Sequence, residues 1–271
     1  MSHSTPRTPP AASASAAFAA LHRPGRPLLL PNAWDHASAA ILAAHAFPAI
    51  GTTSLAVAAA DGVTDGAGHT REQTLRLALT LGSEPFLLSV DAEDGFSDDP
   101  DEVAEFAREL AAAGAVGINL EDGLGPADRH AAKIEAVRAA APDLFVNART
   151  DTHWLGGGDP DETLSRLMAY QEAGAHGVFV PGITDPEEIT RLVRQLDVPL
   201  NVLHTPEGPS VQHLAELGVG RVSLGSLLYR RALGAALEAA TAVRSGRTPQ
   251  GTTPSYAEIQ RLSSPGASSS G

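Results

Sequence analysis

Ala112-Ala113-Gly114-Ala115-Val116-Gly117-Ile118-Asn119-Leu120-Glu121-Asp122-Gly123 holds a helix end, a strand and an acidic turn in one short stretch. Gly114 is the residue type that stops a helix in the left-handed conformation. The apolar run behind it has strand length, and Glu121-Asp122-Gly123 ends that run with charge and a turn residue. The same helix-to-strand passage recurs at Glu172-Ala173-Gly174-Ala175-His176-Gly177-Val178. Helix starts repeat as well. Asp99-Pro100-Asp101-Glu102, Asp159-Pro160-Asp161-Glu162 and Asp185-Pro186-Glu187-Glu188 each offer an N-cap carboxylate, a proline in the first turn and acids against the positive helix end. Recurrence of both devices predicts a chain built from strand–loop–helix units.

Working outward, eight strand-like runs can be placed: 26–31, 48–52, 86–90, the one that starts behind Gly114, 144–148, 177–180, 199–203 and 221–224. Helical patterns follow at 35–46, from Thr70, from Asp99, over 128–140, from Asp159, and over 186–195, 210–217 and 226–245. Eight such pairs in 271 residues fit a (β/α)8 TIM barrel. A doubly wound open sheet is the alternative, but no Gly-x-Gly-x-x-Gly follows a strand. Residues 1–14 are low in complexity and read as a disordered segment, 15–245 as the catalytic barrel, and 246–271 as a flexible tail. A short helix is expected over Ser15–His22 with Ser15 as cap. Thr53–Gly68 is expected to be a long loop of the functional or mobile kind, and Thr70-Arg71-Glu72-Gln73 a capping box.

The composition narrows the partners. Lys plus Arg total 19 against 32 Asp plus Glu, a net charge of −13, which argues against nucleic acid and anionic membranes. There is no cysteine, so thiolate metal sites and Cys nucleophiles are excluded. No run is long and apolar enough for a membrane span and no signal peptide is apparent, so a cytoplasmic location is expected.

A barrel brings every strand's C-terminal end to one rim, where (β/α)8 enzymes build their sites. Asp91 and Glu93, two apart at one strand end, and Glu121 from the next strand could meet at one ion. An all-oxygen set favours Mg²⁺ or Mn²⁺ over Zn²⁺. The alternative is that these acids are solvated. Arg149 at another strand end could clamp a substrate carboxylate or merely neutralise Asp91 or Glu121. Gly51-Thr52-Thr53-Ser54 could form a backbone anion nest or an ordinary turn. Asp65 lies in Gly62-Val63-Thr64-Asp65-Gly66, where a lid residue or a plain turn would sit. Of His130, His153 and His204, the last is the best candidate because it ends a strand.

Taken in order, Leu30-Pro31-Asn32-Ala33-Trp34-Asp35, the Gly51–Gly66 loop, Val90–Gly95, Gly114–Gly123, Asn147-Ala148-Arg149-Thr150-Asp151 and Pro199–Leu203 resemble the isocitrate lyase/phosphoenolpyruvate mutase superfamily. The resemblance runs from about Phe18 to Ala232. It implies a (β/α)8 barrel, dependence on Mg²⁺, and a homotetramer, a dimer of dimers that exchange their C-terminal helix. Asp91 then looks like the direct metal ligand, and Glu93 and Glu121 like the water-mediated ones, with Glu at 93 in place of the more usual Asp. Thr52, Thr53, Ser54 and Leu55 match the segment that holds the substrate carboxylate. Asp65 matches the gating-loop Asp, Arg149 the substrate-binding Arg, and Asn201 a substrate-contacting Asn.

The departures are as informative. Lyases of the isocitrate type carry Lys-Lys/Arg-Cys-Gly-His after the Glu-Asp pair, and phosphonate-forming mutases carry Glu-Asp-Lys. Here the chain reads Glu121-Asp122-Gly123-Leu124-Gly125-Pro126. The lyase carboxylate after the sixth strand is replaced by Pro181-Gly182. What remains suits a Mg²⁺-dependent lyase or decarboxylase that cleaves a C–C bond of a small 2-oxo or 2-hydroxy acid through an enolate, with Asp65 or His204 as the candidate base. A phosphonomutase or phosphonopyruvate hydrolase chemistry, or a non-catalytic metabolite-binding barrel, are the alternatives.

Overall fold

A computed structural model describes residues 11–262, with side chains from residue 14. Nine strand segments, all parallel, run β1 (Leu28–Leu30), β2 (Asn32–Ala33), β3 (Ala49–Thr52), β4 (Leu87–Asp91), β5 (Ala115–Glu121), β6 (Phe145–Arg149), β7 (Gly177–Val180), β8 (Leu200–Leu203) and β9 (Arg221–Ser223). Their order in the sheet is β1-β9-β8-β7-β6-β5-β4-β3-β2.

The expected first strand is therefore two pieces, and the break closes the barrel. Pro31 has no N–H to give to a ladder. Before it, Leu28–Leu30 pair with Arg221–Ser223; after it, Asn32 and Ala33 pair with Gly51 and Thr52. The Pro31 carbonyl still accepts from Gly51 N–H at 2.8 Å. One short segment thus joins the last strand to the second, and a (β/α)8 TIM barrel results.

The helices are α1 (Ala11–Ala19), α2 (His36–Ala44), α3 (Ser54–Ala60), α4 (Arg71–Leu81), α5 (Pro100–Ala112), α6 (Ala127–Ala140), α7 (Pro160–Glu172), α8 (Pro186–Gln195), α9 (Val211–Glu216), α10 (Leu227–Arg244) and α11 (Tyr256–Leu262). The repeated starts behave as the sequence predicts. Asp99, Asp159 and Asp185 each accept a backbone N–H of the first turn, with Pro at its start. Gly114 follows α5 with φ 104°, where a side chain would also collide with the Gly82 backbone. The main core lies between the strands' outer faces and the helices, around side chains such as Leu88, Ile118, Val146, Phe106, Leu110 and Leu192. Burying each of the larger ones contributes about 1.5–3 kcal/mol.

A second cluster seals the barrel's floor. Phe18 of α1 is fully buried among Leu28, Ala49, Val116 and Phe145, which all lie near strand starts. Phe18 meets Phe145 edge-on at 5.3 Å. Gly117 is required beneath it, since a Cβ there would lie 2.8 Å from the Phe18 ring. With the floor plugged, the strands' C-terminal ends form the open face.

Three local expectations are corrected. α1 begins at Ala11, ahead of Ser15. The Thr53–Gly68 stretch is not all loop. Ser54–Ala60 forms α3, with Ser54, Ala56, Val57 and Ala58 buried, because a run of alanines has high helix propensity and needs no amphipathic stripe when packed on more than one side. Thr70 is the N-cap of α4, but its side chain makes no cap bond, so the capping box does not form. In the tail, α11 packs near α2. The expectations for 1–10 and 263–271 fall outside the described residues. Among the described residues, no helix is long and apolar enough to cross a membrane.

Candidate active site

Asp91 ends β4 and points into the rim between β3 and β5. Its N–H donates to Thr52 Oγ1 at 2.9 Å, and its Oδ2 accepts from Ser54 N–H at 3.1 Å. The Thr52–Leu55 segment is thus where the sequence places it, but Ser54 N–H is engaged with Asp91. Thr52, Thr53 and Ser54 are buried, and Leu55 is half-buried in the first turn of α3.

Glu93 is bent back toward the barrel by a left-handed backbone, φ 49°. For a side-chain-bearing residue that conformation costs on the order of 1–3 kcal/mol. Its carboxylate is 2% exposed and accepts the hydroxyl of Thr70, while its carbonyl accepts Glu121 N–H at 2.8 Å. The β4 and β5 loops are therefore tied together at the site. Burial, followed by Asp65, Asp91 and Asp94, lifts Glu93 above the usual carboxylate range against the Thr70 hydrogen bond.

Glu121 faces Arg149 across β5 and β6, with Oε2 at 2.6 Å from Nη1. Arg149 Nε lies 2.6 Å from Asp151 Oδ1, so its fork is held between two carboxylates, and its Cζ stands 5.9 Å from the Phe179 ring. Burial raises Glu121; Arg149 opposes this, while Asp91, Asp151 and Glu93 add to it. Asp151, 1% exposed, shifts the same way. The rim thus carries more negative charge than Arg149 can offset, which is the electrostatic condition for a cation site.

Asp65 lies on an exposed loop, yet its carboxylate accepts a hydrogen bond from Ser54 and feels both Asp91 and Arg149. Partial burial and the charge of Asp91 raise its pKa. Asp65 and the rim are therefore together. Asn201 is 1% exposed, and both polar atoms of its amide lack a protein partner among the described residues. His204 follows β8 and its Nδ1 is likewise buried without a partner. His130 is elsewhere, packed edge-on against Tyr170 at 4.6 Å, and His153 Nε2 is 2.9 Å from Glu188.

The residues can be tested against the implied metal. Among the described residues, no three His, Asp or Glu side chains stand close enough to grip an ion directly. Mg²⁺ keeps much of its water shell and takes only one or two carboxylates directly. One direct ligand at Asp91, with Glu93 and Glu121 behind water, fits both that spacing and the oxygen-only donor set.

Two partners are not evident from the sequence, and a third residue does more than the sequence suggests. Asp151 holds Arg149, Thr70 holds Glu93, and Asp122 organises the loop behind Glu121. The Asp122 carboxylate accepts from Tyr170 at 2.7 Å, Thr150 at 2.8 Å, Leu124 N–H at 3.0 Å, and Arg166 and Asp151 N–H at 3.1 Å. Burial would raise its pKa, but the hydrogen bonds from Tyr170, Leu124, Thr150 and Asp151 hold it below the usual range. The Arg-Thr-Asp spacing, which returns Asp151 to the same side as Arg149, was the signal available for the first.

Fold and site together define a (β/α)8 barrel whose C-terminal rim carries clustered carboxylates around one arginine. A profile of the phosphoenolpyruvate phosphomutase family matches residues 18–244, and the chain belongs to that family, within the phosphoenolpyruvate mutase/isocitrate lyase superfamily. An uncharacterized protein of Mycobacterium tuberculosis is 45% identical over 249 residues, 90% of this chain and 94% of its own. The oxaloacetate decarboxylase of Pseudomonas fluorescens is 29% identical over 189 residues, covering 64% of this chain and 63% of that one. A solved phosphonopyruvate hydrolase, in complex with oxalate and Mg²⁺, superposes with a TM-score of 0.80 at 26% identity, over 92% of this chain and 94% of that one.

Proposed function

We propose that the protein is a Mg²⁺-dependent lyase or decarboxylase that cleaves a C–C bond of a small 2-oxo or 2-hydroxy carboxylic acid. The observation that carries this reading is the loop after Glu121. Gly123–Pro126 bring no ionisable side chain and wind around Asp122, with Leu124 N–H on its carboxylate and Gly125 N–H on its carbonyl. The site therefore has carboxylates, Arg149 and a lid, but no lysine or cysteine on that loop to serve as acid or base.

Asp91 would hold Mg²⁺ directly, and Glu93 and Glu121 would hold its waters. The metal would polarise the 2-oxo group and take up the negative charge that C–C cleavage leaves on oxygen. Arg149, pre-oriented by Asp151, binds a substrate carboxylate, with Thr52–Leu55 and Asn201 lining the rest. Loss of CO₂ from an oxaloacetate-like acid needs no base. Retro-aldol cleavage of a 2-hydroxy diacid does, and Asp65 is the first candidate, supported by its contact with Ser54 and its raised pKa. His204 is the second candidate.

The match to a phosphonopyruvate hydrolase favours P–C bond chemistry as the second reading. A panel of 2-oxo, 2-hydroxy and phosphono acids with Mg²⁺, read in parallel for pyruvate, CO₂ and phosphate, separates the two. Phosphate release from phosphonopyruvate without any C–C cleavage would replace the first reading by the second. Mg²⁺-dependent oxalate binding with no turnover would leave a metabolite-binding barrel.

The assembly we propose is a homotetramer. α10 has only Ala242 buried in the single chain, while Leu233, Leu237 and Val243 are 54%, 70% and 64% exposed, an apolar face suited to another subunit.

A further inference from the structure

Beneath the rim lies a charge that the site as described does not use. Arg221 opens β9 and is 1% exposed, the largest fully buried side chain among the described residues. Its Nη2 donates to Asn119 Oδ1 at 3.2 Å, and its Nε and Nη1 have no partner among the described residues. No described carboxylate lies within ion-pairing distance of it. A buried guanidinium with unmatched donors and no paired anion is costly unless nearby negative charge compensates it.

The geometry shows where that charge is. Asn119 is the register partner of Asp91 across β4 and β5, so in a parallel ladder both side chains face the barrel interior. Asn119 Oδ1 also accepts from Asn147 Nδ2 at 2.9 Å, which fixes the amide. Arg221 therefore hangs from a locked amide next to Asp91, on the floor side of the site. Asp91 is the charge that acts on the guanidinium, against burial that pushes it down to about 9. On the other side of Arg221 is His22 of the floor cluster, which its charge keeps neutral along with burial.

We propose that Arg221 is a fixed internal countercharge of the metal centre: from beneath, it offsets the Asp91 carboxylate, weakens binding of the free cation, and strengthens binding of the anion that sits on the cation. The inference rests on the metal-centre reading above. It follows from Coulomb's law in a poorly screened interior, where one positive charge acts oppositely on a cation and on an anion. Arg221 acts through the field and through Asn119, so it is a positioning residue and touches no substrate.

The test uses the full chain and needs no turnover. Mg²⁺ binding, and oxalate binding to the Mg²⁺-loaded protein, are measured by calorimetry for wild type, Arg221→Met and Arg221→Lys. Loss of the charge is expected to tighten Mg²⁺ and to weaken oxalate, each by about tenfold, while the lysine variant stays near wild type in both. If the methionine variant does not fold, Arg221→Gln, whose amide can keep the bond to Asn119, carries the same comparison. A variant that changes only its melting temperature, or moves both constants in one direction, overturns the countercharge. So does a lysine variant that behaves like the neutral ones. Wild-type protein that binds neither Mg²⁺ nor oxalate overturns the metal-centre reading itself, an outcome distinct from the others.

Discussion

The hydroxyl of Thr70 donates to the buried carboxylate of Glu93 and not to the backbone of the helix that Thr70 begins. One residue thus sits in a helix-start pattern and serves the candidate site. The helix forgoes a side-chain cap worth about 1 kcal/mol. Glu93, 2% exposed and strained at φ 49°, gains a fixed donor. Thr70→Val is expected to cost about 1–3 kcal/mol in urea unfolding, because it leaves a buried carboxylate oxygen unmatched. Thr70→Ser should stay within about 0.5 kcal/mol of wild type. A valine variant as stable as wild type would show that the hydrogen bond contributes nothing.

Asp91 and Asp65 separate metal binding from turnover. Asp91 is fixed by Thr52 and Ser54 at a strand end, whereas Asp65 rides on an exposed loop. Asp91→Ala is expected to abolish Mg²⁺-dependent oxalate binding. Asp65→Ala should leave that binding intact and lower turnover by roughly 10²–10⁴-fold, the range for loss of a general base. Normal oxalate binding in the Asp91 variant would refute the metal assignment, and lost metal binding in the Asp65 variant would refute its role as a lid group.

Asp122 belongs to the acidic turn that ends β5, and it ties together more than that turn. It joins α7, through Arg166 and Tyr170, to the β6 end, through Thr150 and Asp151, just behind Glu121 and Arg149. Asp122→Ala leaves an arginine, a tyrosine and buried N–H groups without their acceptor. Loss of about 3–5 kcal/mol is expected on thermal or urea unfolding. Asp122→Asn, which keeps the shape, should lose less stability yet still bind oxalate more weakly, because Asp151 and hence Arg149 shift. Wild-type stability in the alanine variant would mean that the network is solvated and slack.

The barrel was legible because its punctuation is local. Asp-Pro at helix starts and Gly114 and Gly174 at helix ends act within one turn, so spacing alone reveals the repeat. The rim followed, since parallel strands all end on one side. What was not legible depends on partners far along the chain. Thr70 reads as a cap until Glu93 is brought to it, and Ser54–Ala60 reads as loop because Ser54, Ala56, Val57 and Ala58 are buried without an amphipathic pattern. Pro31 gave no hint that one segment pairs on two sides. Arg221-Val222-Ser223 did carry a signal, since period 2 puts Arg221 on the face opposite Val222, but only a closed barrel turns that face into an interior. Asp91, Glu93, Glu121 and Arg149 could be named from their strand ends, whereas the residues that orient them could not.

The floor cluster predicts how the fold responds to acid. Phe145 is sandwiched between His22, stacked at 4.5 Å, and His176, stacked at 5.3 Å. His176 Nδ1 accepts Val146 N–H at 3.0 Å, and His22 Nδ1 donates to the Phe18 carbonyl at 2.9 Å, so each ring needs one fixed neutral tautomer. Burial, aided by Arg221, lowers His22 to about 3; burial, aided by Arg138, lowers His176 to about 4; and His130, buried against Tyr170, falls to about 4. A base with a depressed folded pKa binds fewer protons folded than unfolded between the two pKa values. Its contribution is complete above the unfolded value of 6.5 and is lost as pH falls toward the folded one. Unfolding free energy should therefore drop by roughly 1–2 kcal/mol per buried histidine between pH 6.5 and pH 5, and by less for half-buried His176. Glu121, Glu93, Asp65 and Asp151, whose folded pKa values are raised, act in the opposite sense across that window, so the histidine contribution is read as a difference between variants. His22→Phe keeps a ring on Phe145 and removes one titrating group, so urea unfolding across this range should show a shallower acid limb by close to one proton. An unchanged slope in that variant would mean that His22 is already charged in the folded state.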